Sequence, residues 1–168
     1  NTRPFQQIQA HHLAASDVQG ELVFYEFPDL YSEYNSTEIG QFEQEAWVSI
    51  YRPQRIVVPA VPIDLLLANA QLAPKLFKID VEGAEYAVLQ GMKTYLANAA
   101  ACCVVMEYLS QARGNEAHQK AHAFMQDLGD RFGTKVRFWH SEGDCPNSLD
   151  VASILRAVPI TANVYVCG

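Results

Sequence analysis

The sequence lacks a cluster of basic residues, a long apolar run and any internal repeat, and each absence narrows the class of protein. The formal net charge is −7 over 168 residues, which disfavours a nucleic-acid binder that relies on phosphate contacts. No apolar run reaches the length that crosses a membrane, so we expect no membrane partner. The length suits one domain with a substantial core, and we expect residues 1–168 to belong to a single domain.

Cysteine and histidine patterns typical of metal sites are missing as well. Neither a CxxC spacing nor a His–Cys cluster occurs, which disfavours a structural zinc ion. The adjacent pair Cys102 and Cys103 lies in an apolar run, which indicates core packing and a reducing, cytoplasmic setting. His11 and His12 are neighbours in a predicted strand and point to opposite faces, so they cannot jointly hold one ion. We expect no metal ligands.

The most informative stretch begins with the short apolar run at residues 76–79 and continues with apolar residues at helical spacing. This pattern predicts a buried parallel strand that feeds a helix. The residues between strand and helix are Asp80, Glu82, Gly83 and Glu85. The helix residues predicted to pack on the sheet are Ala84, Ala87, Val88 and Met92. Ligands of open α/β sheets bind beyond the carboxyl ends of the strands, where Asp80 and Glu82 would lie.

A simpler interpretation of the same residues remains open at this point. Acidic residues in the first turn of any helix interact favourably with its dipole. Gly83 can serve only to ease a tight turn.

A second apolar run, at residues 99–108, predicts the next parallel strand. It ends in Glu107 and Tyr108. Because the carboxyl ends of parallel neighbours meet at one edge of a sheet, we expect Asp80, Glu82 and Glu107 to lie at the same end.

The segment Lys78-Ile79-Asp80-Val81-Glu82-Gly83-Ala84-Glu85 is very similar to the signature of the FkbM family of S-adenosylmethionine-dependent O-methyltransferases. The resemblance implies methyl transfer to a hydroxyl group of a small molecule or sugar. It also implies an α/β fold with a Rossmann-like class I methyltransferase sheet, mostly parallel and closing on an antiparallel strand pair. Asp80 would then face cofactor and substrate, while Glu82 or Glu107 would orient the acceptor hydroxyl or take its proton.

The beginning of the chain also resembles that family, with a strand, an alanine-rich end, Ser-Asp, a turn and a second strand at residues 21–27. By this resemblance Ala14, Ala15 and Ser16 are cofactor-side residues, near the adenine of S-adenosylmethionine. From the residues alone, an ordinary hairpin is the favoured alternative.

Residues 28–55 show no clear periodicity and are rich in polar and acidic side chains. Tyr34, Asn35 and Ser36 lie where FkbM-like proteins carry a polar segment near the mouth of the active site, so the resemblance makes them substrate-side residues. Long loops are uncommon unless they are functional, partly helical or mobile. A substrate lid and a solvated excursion are both open interpretations.

The remaining elements follow from local patterns. Residues 55–62 predict a strand whose prolines indicate an edge position, and a helix begins at Ile63. Residues 113–129 predict an amphipathic helix. Residues 133–140 and 162–167 predict two last strands.

Glycines are scattered and make no GxGxxG, the turn that lets a backbone approach a dinucleotide-like cofactor closely. The resemblance therefore covers the later part of the family domain, and we expect a domain truncated at its N-terminus. Such a chain would bind S-adenosylmethionine poorly alone and would expose sheet edges that favour homo-oligomers. Two other classes compete: a non-catalytic scaffold or binding module, and a different α/β enzyme whose carboxylates bind metal and phosphate. A glycine-rich strand–turn–helix upstream would favour the methyltransferase.

Overall fold

A computed structural model of the chain describes residues 8–42, 45–98, 102–109, 123, 126–127, 130, 136–140, 148–149 and 161–167. The strands within these residues are β1 (Ala14–Ala15), β2 (Gly20–Glu26), β3 (Gln54–Val61), β4 (Leu76–Ile79), β5 (Cys103–Leu109), β6 (Val136–His140), β7 (Ser148–Leu149) and β8 (Thr161–Cys167). They form two sheets, one with the order β1-β3-β2 and one with the order β4-β5-β8-β6-β7. The fold is therefore mixed α/β.

Short helices connect these strands. They are the 3-10 helices Asp29–Tyr34 and Ile39–Phe42, and the α-helices α1 (Ala46–Ile50), α2 (Ile63–Ala70), α3 (Glu85–Gln90) and α4 (Lys93–Asn98). The helix predicted from Ile63 is confirmed. No helix among the described residues is long and apolar enough to cross a membrane. The helix predicted at residues 113–129 lies largely outside the described residues, although Ala123, Gln126 and Asp127 are helical.

The prediction that β3 is an edge strand is wrong. β3 is the central strand of the smaller sheet, antiparallel to β2 and parallel to β1. The backbone N–H and C=O of Tyr25 both bond to Ser36, on the side of β2 away from β3. Tyr25 and its partner Arg55 are therefore a non-hydrogen-bonded pair, and the backbone N–H and C=O of Arg55 point away from β2. Pro59 is four residues after Arg55, so its backbone groups also point away from β2. On that other side of β3, the described pairs with β1 involve Ala60 and Val61. The missing N–H of Pro59 therefore interrupts no ladder bond to β2.

The larger sheet begins with a parallel pair and continues antiparallel. β4 pairs with β5 in parallel, from Leu76↔Cys103 to Ile79↔Met106. β8 lies between β5 and β6 and is antiparallel to both, which confirms the predicted antiparallel pairing of the last strands. The expected mostly parallel sheet is corrected, because among the described strands two pairings are parallel and four are antiparallel.

The buried core centres on β4, β5 and the helices that follow β4. Its side chains include Ile79, Val88, Leu89, Met92, Cys102, Val104 and Met106. Val88 and Met92 are buried as predicted, whereas Ala84 and Ala87 are half-buried. β4 alternates instead of being buried on both faces, since Leu76 is 64% exposed while Ile79 is 5% exposed. This alternation indicates that one face of β4 packs on the core while the other faces solvent.

Candidate functional site

The register of β4 against β5 defines one end of the larger sheet. Ile79 lies opposite Met106 in the parallel pair, so the next positions along the two strands are Asp80 and Glu107. Asp80 directly follows β4, whereas Glu107 lies within β5, two residues before its end. Both residues therefore lie towards the carboxyl ends of the parallel pair, where ligands of open α/β sheets bind. Their catalytic roles stay predictions.

The Asp80 carboxylate is exposed and forms an ion pair. Its Oδ2 lies 3.1 Å from the Nζ of Lys78, and the two side chains are 59% and 52% exposed. Residues two apart in an extended strand share a face of the sheet, which explains how Lys78 reaches the carboxylate. The pair places both charges at the strand end, in contact with solvent.

The turn after β4 adopts left-handed backbone conformations. Glu82 has a φ of 48° and Gly83 a φ of 105°, a region in which side chains are disfavoured and glycine is the default. The Gly83 N–H donates a hydrogen bond of 3.1 Å to Oε1 of Glu85. Glu85 is in the first turn of α3. Gly83 and Glu85 therefore shape the turn, which supports the simpler interpretation of these two residues.

Ser36 ties the segment before α1 to this turn. The Ser36 hydroxyl donates a hydrogen bond of 2.7 Å to the backbone carbonyl oxygen of Glu82 and accepts one of 2.9 Å from the N–H of Glu38. Its backbone exchanges two further hydrogen bonds with Tyr25. The side chain is only 1% exposed. The structure thus brings a predicted substrate-side residue into contact with a predicted catalytic residue, although 46 positions separate them.

The other two substrate-side residues lie beside Ser36 with different surroundings. Asn35 accepts a hydrogen bond of 2.7 Å from the backbone N–H of Phe27 through Oδ1. Tyr34 is half-buried, and its ring centroid lies 4.7 Å from that of Trp47. The negative charge of Glu33 raises the pKa of Tyr34 most, followed by burial and a hydrogen bond with Glu33, and Glu82 adds to the effect. The phenol of Tyr34 therefore lies within electrostatic reach of Glu82.

Six rings hold this segment together, and we call them the aromatic cluster. Its members are Phe27, Tyr31, Tyr34, Phe42, Trp47 and Tyr51. The rings of Trp47 and Tyr31 are stacked with their centroids 5.1 Å apart, and the ring centroids of Tyr31 and Tyr51 are 4.6 Å apart. Phe27 and Phe42 are 3% and 8% exposed. The solvated-excursion interpretation is therefore wrong, because a packed cluster runs through the segment. The sequence shows several aromatic residues in this segment, but their spacing follows no single period that would predict the cluster.

The predicted cofactor-side residues lie at the end of β1. Ala14 and Ala15 are half-buried, and Ser16 is 3% exposed. The Ser16 N–H donates to the Val61 carbonyl at 3.2 Å, and its hydroxyl donates to Oδ1 of Asp17 at 3.1 Å. Ser16 thus supports the local structure. The alternative of a hairpin is wrong, because β1 and β2 each pair with β3.

A cleft of about 450 Å³ lies at Asp17, the residue that follows Ser16. It is lined by Asp17, Pro62, Asp64, Tyr86, Gln90, Gly91 and Lys93. Its volume falls in the range of about 300–1,000 Å³ that is usual for small-molecule sites. Asp17 is exposed and contributes a carboxylate to the lining of the cleft. It was not among the cofactor-side residues predicted from the sequence.

No group of three or more histidine, cysteine or acidic side chains that could hold a metal ion occurs among the residues that the structure describes. His11 and His12 are both exposed. The side chain of Glu107 lies outside the part of the chain that the structure describes, and the register of β4 against β5 places its backbone beside that of Asp80.

The fold and the site define an α/β protein with one acidic residue at the end of a parallel strand, another within the neighbouring strand, and a polar segment bonded to the turn after the first. The family model described as "Methyltransferase FkbM domain" matches residues 1–132. The chain therefore belongs to the FkbM methyltransferase family. Searches of curated proteins and of solved structures found no match.

Proposed function

We propose that the protein is an S-adenosylmethionine-dependent O-methyltransferase of FkbM type that acts on a hydroxyl group of a small molecule or sugar. The observation that carries the proposal is the hydrogen bond from Ser36 to the Glu82 carbonyl. It joins the polar segment to the turn that follows Asp80, at the sheet end that Asp80 shares with Glu107. An acceptor bound between these elements would meet acidic oxygen atoms and a tyrosine phenol.

The residues of this chain would act mainly by positioning the acceptor. Bound S-adenosylmethionine supplies a methyl group on a positively charged sulfur. When the acceptor oxygen receives this methyl group, a residue of the chain would have to take the proton of the acceptor hydroxyl. A carboxylate of Asp80, Glu82 or Glu107 would accept the hydroxyl hydrogen bond, align the oxygen and take the proton. Lys78 would fix the direction of the Asp80 carboxylate through the ion pair.

The described residues at the end of β1 fit one part of the cofactor. The half-buried Ala14 and Ala15 offer small apolar surface to a flat base. Asp17 offers a carboxylate that can accept from an amine or hydroxyl, beside a cleft of suitable volume. Ser16 would support these residues instead of contacting the cofactor, since its N–H and its hydroxyl are both engaged locally.

The proposal includes a Rossmann-like class I arrangement of the sheet. The parallel pair β4–β5 supports it, as does the position of the antiparallel strand β8 between β5 and β6. Both features are expected of a methyltransferase sheet that closes on an antiparallel pair.

The test is transfer of an isotope-labelled methyl group from S-adenosylmethionine by the full-length protein to a panel of sugars and small alcohols, followed by mass spectrometry. Each acceptor is paired with its deoxy analogue and its amino analogue. We expect label on the hydroxyl compound and none on the deoxy analogue. Label on the amino analogues alone would contradict the O-methyltransferase assignment. A folded protein that binds no cofactor and transfers no label would favour the non-catalytic scaffold.

A further inference from the structure

The surroundings of the Ser36 hydroxyl differ from those of a substrate contact. The side chain is 1% exposed, its hydrogen is directed to the Glu82 carbonyl, and its oxygen accepts from the Glu38 N–H. At this exposure the hydroxyl presents almost no surface to an acceptor molecule, and its one hydrogen is already donated within the protein. The sequence-based role of Ser36 as a substrate-side residue therefore fits its geometry poorly.

The partner of Ser36 has an unusual backbone conformation. Glu82 has a φ of 48° without being glycine, and such conformations persist where the surrounding structure over-determines them. The Ser36 hydroxyl fixes the direction of the carbonyl that joins Glu82 to Gly83. This contact is one determinant of the turn, and it acts from outside the turn.

Ser36 itself is held from both sides. Its backbone N–H and carbonyl bond to Tyr25 on β2, at 3.2 and 2.9 Å. The neighbouring Tyr34 is packed into the aromatic cluster, against Trp47 and Phe42. A rigid anchor of this kind can transmit the position of β2 and the cluster to the turn at Glu82.

We propose that Ser36 is a positioning residue for methyl transfer: it holds the Glu82 carbonyl so that the turn from Asp80 to Glu82 keeps the shape that aligns the acceptor. This inference rests on the proposed function. In this proposal Ser36 does not contact the acceptor and acts on it only through Glu82. The loss of the hydroxyl should therefore loosen the turn and slow the chemical step, with little effect on acceptor affinity.

The test compares two variants of the same shape, Ser36→Thr and Ser36→Val. Both add volume at a buried position, so any packing cost is common to them, and only threonine keeps the hydroxyl. Ser49→Ala is a further control, because the exposed Ser49 hydroxyl also donates to a backbone carbonyl, that of Ala46, at 2.7 Å. Folding of each variant is checked by thermal denaturation.

The first readout is hydrogen exchange of the backbone amides at residues 80–85. We expect faster exchange in Ser36→Val than in Ser36→Thr by about five-fold or more, the factor for loss of one ordinary hydrogen bond. Ser49→Ala should exchange like the wild type at these residues. Equal exchange in the threonine and valine variants would overturn the claim that the hydroxyl holds the turn.

The second readout is the kinetics of methyl transfer. We expect kcat of Ser36→Val to fall about ten-fold or more below that of Ser36→Thr, with KM for the acceptor nearly unchanged. A rise in KM at constant kcat would overturn the proposal, since it would mean that Ser36 contacts the acceptor. If the wild type transfers no methyl group, the proposed function fails. The exchange result then still decides whether Ser36 holds the turn.

Discussion

Gly91 lies directly against the backbone of Ser16. A β carbon at position 91 would stand 2.0 Å from the Ser16 carbonyl oxygen and 2.8 Å from its carbonyl carbon. Gly91 has φ −69° and ψ −10°, which any residue adopts, so space and not conformation requires the glycine. This contact joins the end of β1 to the connection between α3 and α4.

We predict that Gly91→Ala destabilises the protein by about 1–3 kcal/mol, because the obstructing atoms belong to backbone and relax poorly. The matched control is Gly40→Ala, since a β carbon at Gly40 would meet no atom within 4 Å. Denaturant unfolding of both variants measures the difference. Equal stability of the two variants would contradict the close approach of Gly91 to Ser16.

A second stability prediction concerns Asp64 in the first turn of α2. Its two carboxylate oxygens accept hydrogen bonds of 2.9 and 2.8 Å from the backbone N–H groups of Thr94 and Tyr95 in α4. In Asp64→Asn an amide NH₂ would meet one of these donors, so we expect a loss of about 1–3 kcal/mol. Asp29→Asn, at an exposed position, should change the free energy of unfolding by less than about 0.5 kcal/mol. A similar small change for Asp64→Asn would contradict the capping role.

Local patterns predicted the strands that flank the site and the parallel pairing of β4 with β5, but not the order of strands in the smaller sheet. The apolar run before Asp80 and the run before Glu107 each predicted a strand, and their parallel pairing follows from the order of strand, helix and strand. The central position of β3 was missed because proline is disfavoured in ladders. Whether Pro59 removes a ladder hydrogen bond depends on whether its nitrogen faces β2 or points away from it. Only the register of β3 against β2 decides this.

The contacts that build the candidate site were beyond sequence reasoning for a different reason. The bond from Ser36 to Glu82 joins positions 46 apart, and no local spacing signals it. The aromatic cluster lies in short 3-10 and α-helical pieces, so its residues follow no single period. Tertiary packing decides both features.

The pKa of Tyr34 provides a prediction of pH dependence. The nearby Glu33 carboxylate raises this pKa above the usual 10.0, with burial and a hydrogen bond adding to the effect. A raised folded-state pKa contributes stability that is fully present below about pH 10 and is lost as pH rises through the folded value. Phenolate absorbance, with Tyr34→Phe as the subtraction standard, measures the pKa.

Glu33→Gln should lower the pKa of Tyr34 towards 10.0, because the strongest repulsion of the phenolate is removed. Glu21→Gln, on β2, is the control and should leave it unchanged. A Tyr34 pKa at or below 10.0 in the unaltered protein would show that the phenol does not lie beside these carboxylates.

The ion pair of Lys78 with Asp80 should matter more for activity than for stability. Both side chains are more than half exposed, and exposed pairs contribute about 0–1 kcal/mol. We expect Lys78→Gln to lower the free energy of unfolding by no more than about 1 kcal/mol. We expect it to slow methyl transfer about ten-fold, because the Asp80 carboxylate loses its orienting partner. Lys75→Gln, also exposed, is the control. Equal activity of the two variants would show that the ion pair plays no part in the reaction.

The most direct test of the proposed reaction is the rate of labelled methyl transfer by Asp80→Asn, at saturating cofactor and with the acceptor that the wild type methylates. The substitution keeps the shape of the side chain and removes its charge. We predict a fall of about 10²-fold or more, with an unchanged unfolding midpoint. Asp130→Asn, in an exposed helical residue, should transfer methyl groups at the wild-type rate. Equal rates for Asp80→Asn and Asp130→Asn would contradict the assignment of the reaction to the end of the β4–β5 pair.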